Sequence, residues 1–238
     1  MSRIAVVLLI CLTACRQPRA DEALRVACAA NLTTVLSILA RESGQRVQPA
    51  FGSTATLAAQ IENGAPYDVF LAADRRHIEQ LAARQQTSRT FAYARGRLAL
   101  YSHSGVTPSP SELTAPSIRF IAIPKPELAP YGRAAVEALH AMGIWDAVQP
   151  RVVYTQDVAA VRALVDSGNA DAGFTALSLL PPDARVAVDP HLYAPIEQWG
   201  CVLASSRRFE DAARFANFVL SPKGRRILEN AGYAAPRN

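Results

Sequence analysis

Four short segments of this 238-residue chain put small or neutral polar residues where a strand-like run gives way to a helix-like one. They are Ala30-Asn31-Leu32, Ser53-Thr54-Ala55-Thr56, Pro130-Tyr131-Gly132 and Gln156-Asp157-Val158. A helix start carries unpaired backbone N–H groups and the positive end of the helix dipole, so each segment can hold part of an anion. In an open α/β sheet such starts gather at the carboxyl ends of the strands, where ligands collect. Two lie in the first half of the chain and two in the second, an arrangement that would set them facing across a cleft. Taken singly, Asn, Ser, Thr and Asp at these positions are ordinary N-caps that bind nothing, and Asp157 is read as the cap of its own helix. Their joint placement is what points to a site.

A dianion held by such segments needs no lysine or arginine in contact, because several neutral donors can satisfy its oxygens. Each hydrogen bond to a charged group contributes about 1.5 to 3 kcal/mol, and micromolar binding needs only about 8 kcal/mol net. About five to eight such bonds therefore leave room for the ordering and desolvation costs of closure.

The elements that must position these segments follow from the pattern of the chain. Short apolar runs alternate with helical patterns, which predicts an α/β architecture with mainly parallel sheets. Strands are expected at Leu24–Ala29, Val47–Phe51, Asp68–Ala72, Arg97–Tyr101, Arg119–Ile123, Val152–Tyr154, Ala172–Ala176, Arg185–Val188 and Cys201–Ala204. The first helix would take Asn31 as its N-cap, bury Leu32, Val35, Leu36 and Leu39 on one face, and stop at Gly44. With 50% hydrophobic and 19% charged residues, the chain can bury a substantial core and does not have the composition of a disordered protein.

Residues 1–14 read as a secretory signal: Arg3, an apolar run from Ile4 to Leu12, then Thr13-Ala14-Cys15. Leu12-Thr13-Ala14-Cys15 resembles a bacterial lipobox, which implies cleavage before Cys15 and lipidation of that cysteine. The product would be held at a membrane by its lipid, and residues 15–23 would serve as a polar tether. Losing residues 1–14 removes one arginine, so the formal charge falls from +5 to +4. Such a scattered, mild excess without interleaved aromatics does not indicate nucleic acid. Beyond Cys15 only Cys28 and Cys201 remain, each within an apolar run, and no histidine stands at ligand spacing, so no metal site and no cofactor are expected.

The chain from Val26 to Thr33 and from Phe51 to Asp74, including Phe-Gly-Ser-Thr-Ala-Thr and Ala-Pro-Tyr-Asp-Val-Phe-Leu-Ala-Ala-Asp, resembles the periplasmic molybdate-binding proteins of ABC importers (the ModA family). Ala129–Ala135, Gly173–Ser178, Pro195–Gln198 and Gly232-Tyr233 are also similar, so the likeness spans nearly all of the mature chain. The resemblance implies a two-lobed periplasmic binding protein fold. Residues 24–97 plus 197–238 would form one lobe and residues 98–196 the other, hinged near Arg95–Leu98 and Tyr193–Gln198. It further implies an oxyanion ligand, molybdate or tungstate, held by Ala30, Asn31, Ser53, Thr54, Tyr131 and Val158 without metal or counter-charge. ABC permease subunits would be the partner, the periplasm the location, and the monomer the working form. Two departures stand out: Asn31 where many relatives place serine, and Ala176 where some place a tyrosine that reaches the ligand.

Two other classes compete. A secreted hydrolase would need a nucleophile elbow, a P-loop or an H-E-x-x-H helix, and the sequence contains none of these motifs. An oxyanion-sensing lipoprotein feeding a receptor would share the fold and differ only in its partner.

Overall fold

In the computed structural model, residues 23–102, 108–184 and 186–236 are described. The signal segment, Cys15 and the tether up to residue 22 lie outside them.

Two sheets divide the strands. The first contains β1 (Leu24–Ala29), β2 (Val47–Gly52), β3 (Val69–Ala72), β4 (Thr87–Gly96) and β9 (Ile196–Leu203), in the order β2-β1-β3-β9-β4. The second contains β5 (Leu98–Ser102), β6 (Ile121–Pro124), β7 (Val152–Thr155) and β8 (Ala172–Ala176), in the order β5-β8-β6-β7. Helices α1 (Leu36–Ser43), α2 (Thr54–Glu62), α3 (Arg76–Ala83), α8 (Phe209–Leu220) and α9 (Pro222–Asn230) accompany the first sheet. The second carries α4 (Pro110–Thr114), α5 (Pro130–Ala141), α6 (Trp145–Val148) and α7 (Val158–Asp166). The chain leaves the first sheet at Gly96, enters the second at Leu98 and returns at Ile196.

The sheets are mixed, with four parallel and three antiparallel strand pairings. Strand β9 runs antiparallel to both β3 and β4, and β5 runs antiparallel to β8. The topology demands this: β4 carries the chain out through the hinge and β9 brings it back through the same place. The long β4 has no counterpart in the sequence reading because its residues, Thr-Ser-Arg-Thr-Phe-Ala-Tyr-Ala-Arg-Gly, offer no apolar run. As an edge strand it buries only Phe91, Tyr93, Ala94 and Gly96. Strand β9 starts five residues before the expected Cys201, and at 186–188 there is a single bridge, Ala187 to Ala99, in place of a strand.

The first helix also differs. Ala30–Leu32 form a 3-10 turn, and α1 begins only at Leu36, with Val35 and not Asn31 at its N-cap. Leu32, Val35, Leu36 and Leu39 are nevertheless all buried, and Gly44 ends the helix in the left-handed region at φ 69°. The first sheet separates two apolar clusters. Cys28, Leu71, Tyr93 and Phe215 belong to one, Phe70, Ile78 and Cys201 to the other. The core of the second lobe reaches across to Ala29, Ala30 and Ala73 of the first.

Candidate functional site

Strands β1 and β2 end beside the starts of α5 and α7. There Ala30, Asn31, Ser53, Thr54, Tyr131 and Val158 line one small cavity of about 10 Å³. All six residues expected from the sequence therefore meet. Asp157 is the only charged residue in its lining, which includes no Lys or Arg. A much larger groove, about 740 Å³, lies at the other end of the first sheet, between the start of β1 and the C-terminal ends of α2 and α3. Arg25, Arg207, Arg208 and Asp68 are among the residues lining that groove, and none of the six residues expected from the sequence lies in it.

The caps leave particular N–H groups over. At α7 the Asp157 carboxylate accepts from Ala159 N (2.9 Å) and Ala160 N (3.0 Å), the cap role read from the sequence, and Val158 N–H is outside that pair. At α2 the Ser53 hydroxyl accepts from Thr56 N at 3.3 Å and lies 2.6 Å from the Thr56 hydroxyl. Ala55 N–H donates to Leu128 O of the other lobe at 3.2 Å, and the Thr54 N–H belongs to neither bond. The 3-10 turn at Ala30 and the start of α5 have no side-chain cap. Uncapped backbone donors thus converge on the cavity from both lobes.

The side chains behave differently from the backbone. Asn31 is 1% exposed, and its amide nitrogen donates to Gln198 Oε1 and to the Tyr233 hydroxyl, each at 2.8 Å. Its carbonyl accepts from the Tyr233 and Ser178 hydroxyls, also at 2.8 Å. Both side-chain N–H bonds of Asn31 therefore point into the protein, so its backbone is the part left to face a ligand. Thr54 accepts from Ala73 N at 3.1 Å, which fixes its hydroxyl beside the end of β3.

Tyr131 is the exception, because its buried hydroxyl has no hydrogen-bond partner among the described residues. Burial pushes its pKa well up, and although the nearby Asn31 amide acts the other way, both N–H bonds of that amide are already committed. The phenol stays neutral and keeps its proton to donate. The ring is seated over the hinge: a Cβ added to Gly96 would lie 2.2 Å from the Tyr131 oxygen and 2.8 Å from Gln198 Nε2.

Gln198, Tyr233 and Ser178 were assigned no role in the sequence reading, although all three lie within segments that carry the family likeness. Gln198 offers the clearest signal, a fully buried amide in β9, where the other fully buried residues are apolar. Ala176 ends β8 fully buried and is not among the residues that line the cavity.

The lobes are closed on one another. Besides the bond from Ala55 to Leu128, Thr34 Oγ1 donates to Ser178 O at 2.8 Å, and Arg133 Nη2 lies 3.2 Å from Asp74 Oδ2. Among the described residues no cluster of three or more His, Cys, Asp or Glu could hold a metal, and no helix is long and apolar enough to cross a membrane.

Two α/β lobes with a double-stranded hinge, closed over a cavity where helix starts from both lobes meet, are the architecture of a solute-binding protein. Residues 24–234 match the family model of bacterial extracellular solute-binding proteins, and the chain belongs to that family. Molybdate-binding protein ModA of Azotobacter vinelandii is 32% identical over 98% of this chain and 97% of its own length. The protein of the same name from Rhodobacter capsulatus is 28% identical over 91% and 90%. The solved periplasmic molybdate-binding protein of Azotobacter vinelandii superposes with a TM-score of 0.84 at 32% identity, covering 90% of this chain and all of that one.

Proposed function

We propose that this protein captures molybdate or tungstate in the periplasm and delivers it to the membrane subunits of an ABC importer, without transforming it. The observation that carries this reading is the cavity itself, where neutral donors from four chain segments converge and no lysine or arginine intrudes. Such a lining suits a fully ionised tetrahedral oxyanion, because every oxygen can accept and no site demands a ligand proton. Hydrogen phosphate would place one donating hydroxyl against donors and so is disfavoured. The 32% identity to a molybdate-binding protein over almost the whole chain supports the same ligand class. Closure by both lobes makes the ligand select the closed form, since it contacts donors from each.

The Cys15 lipid anchor belongs to the same reading and is supported by the Leu-Thr-Ala-Cys sequence alone. Palmitate labelling that Cys15→Ser abolishes would establish it. A monomer suffices, because one chain contributes donors from both lobes. Isothermal titration of the unlipidated mature chain tests the ligand. Tight one-to-one binding of molybdate and tungstate, with little heat from sulfate or phosphate, is expected; silence towards all four would defeat the proposal.

A further inference from the structure

Asp74 lies two residues past the end of β3 and next to Ala73, which lines the cavity. Its carboxylate caps α3, accepting from His77 N at 3.1 Å and meeting His77 Nδ1 at 2.9 and 3.0 Å. The third partner comes from the opposite lobe. Arg133, in the first turn of α5 and two residues beyond Tyr131, reaches Asp74 Oδ2 at 3.2 Å. The Asp74 side chain is only 10% exposed, whereas that of Arg133 is 37% exposed and is also tied to its own lobe through Pro126 O at 3.4 Å. Burial pushes the Asp74 carboxyl up, but its bonds to His77 and Arg133 outweigh that and hold it below the usual range.

The two ends of this bond are unequal in a useful way. With the lobes apart, Asp74 would keep His77 and its cap, while Arg133 would keep Pro126 and gain water, so neither is left stranded. With the lobes together, the pair is partly desolvated and a positive charge neutralises a carboxylate close to where a dianion would lie. We propose that Arg133 and Asp74 form a latch across the cleft, bonded only in the closed form, which makes Arg133 a positioning residue that sets ligand affinity without touching the ligand. The inference rests on the proposed capture of an anion by lobe closure. An ion pair that merely stiffened the fold would act equally on open and closed forms.

Cys28 and Cys201 are buried, so spin labels can be directed to cysteines introduced at the exposed Ala59 of α2 and Ala163 of α7, one on each lobe. Dipolar spectroscopy on the unlipidated mature chain then reads the closed-to-open ratio without ligand. Arg133→Gln is expected to lower that ratio about tenfold, the worth of one charge-assisted bond discounted for partial exposure. The molybdate dissociation constant should rise by up to the same factor through faster release, because closure and binding are linked. Arg133→Lys should restore part of both effects, and thermal unfolding of the ligand-free protein should be unmoved by either variant. An unchanged ratio in Arg133→Gln, or a loss of ligand-free stability without a change in ratio, overturns the latch. If the ratio falls yet the parent itself ignores molybdate, the latch stands and the oxyanion reading falls.

Discussion

The two halves of the cavity are finished to different degrees. On the first lobe every site side chain is already committed: Asn31 to Gln198 and Tyr233, Thr54 to Ala73, and Ser53 to Thr56. On the second lobe the Tyr131 hydroxyl is buried and unpartnered among the described residues, and Val158 offers backbone. The first lobe is thus a preorganised cradle whose donors are backbone groups held by side chains pointing inward. The second lobe brings a side chain whose hydrogen bond is still to be made. Preorganisation limits the ordering cost of binding, while a bond left for the ligand to complete would reward closure.

Asn31→Ala should have the largest effect and should blur the two roles. It strips a donor from Gln198 Oε1, which would keep only the long 3.4 Å approach of the Tyr93 hydroxyl, and from the Tyr233 oxygen. Leaving such groups short costs about 1 to 3 kcal/mol each, so urea unfolding should show a stability loss of roughly 2 to 4 kcal/mol beside weakened binding. A variant as stable as its parent would mean that Asn31 serves the ligand and not the cradle.

Tyr131→Phe should separate the roles. It removes an unsatisfied buried hydroxyl, so stability should hold or rise slightly, whereas affinity should fall about 10- to 100-fold for one lost bond to a charged ligand. Calorimetric affinity equal to the parent's would remove Tyr131 from the site. Gly96→Ala comes next, because its methyl would collide with the Tyr131 oxygen and displace the ring from its seat over the hinge. Overpacking of this kind costs about 1 to 3 kcal/mol, and binding should weaken with it. Combined with Tyr131→Phe, the alanine should cost less, since the atom it strikes is gone; full additivity in a double-mutant cycle would contradict that seat.

How much of this was legible in the sequence depended on whether a residue's role was local. The helix starts announce themselves by residue type beside an apolar run, and the family resemblance picked out of them six residues that line the cavity. Asn31 carries the same signal as a cap and is not one, because tertiary partners 167 and 202 residues away turn its side chain inward. Strand β4 was silent for a related reason: its polar outer face and bulged register against β9 leave no period-two pattern to read. The latch was equally silent, since Asp74 and Arg133 are 59 residues apart and look like any surface charges until the lobes meet.

The two thiols give the smallest effect, one that vanishes at neutral pH, and they test the cradle's rigidity alone. Cys28 on β1 and Cys201 on β9 are separated by β3 and face opposite sides of the sheet, so they cannot be bridged. Burial raises Cys28 well above the ordinary thiol value and Cys201 to about 12. A raised folded-state pKa favours the protonated native form, so its contribution is intact below the unfolded thiol's value. It is lost as pH climbs from there towards the folded value. Stability measured by denaturant should therefore be flat through neutrality and decline above about pH 9, by roughly 1.4 kcal/mol per pH unit for each thiol. Cys201→Ala should halve the thiol share of that slope. Rapid alkylation of either thiol in the native protein at pH 8 would show that the first lobe opens locally, and would undercut its description as the preorganised half.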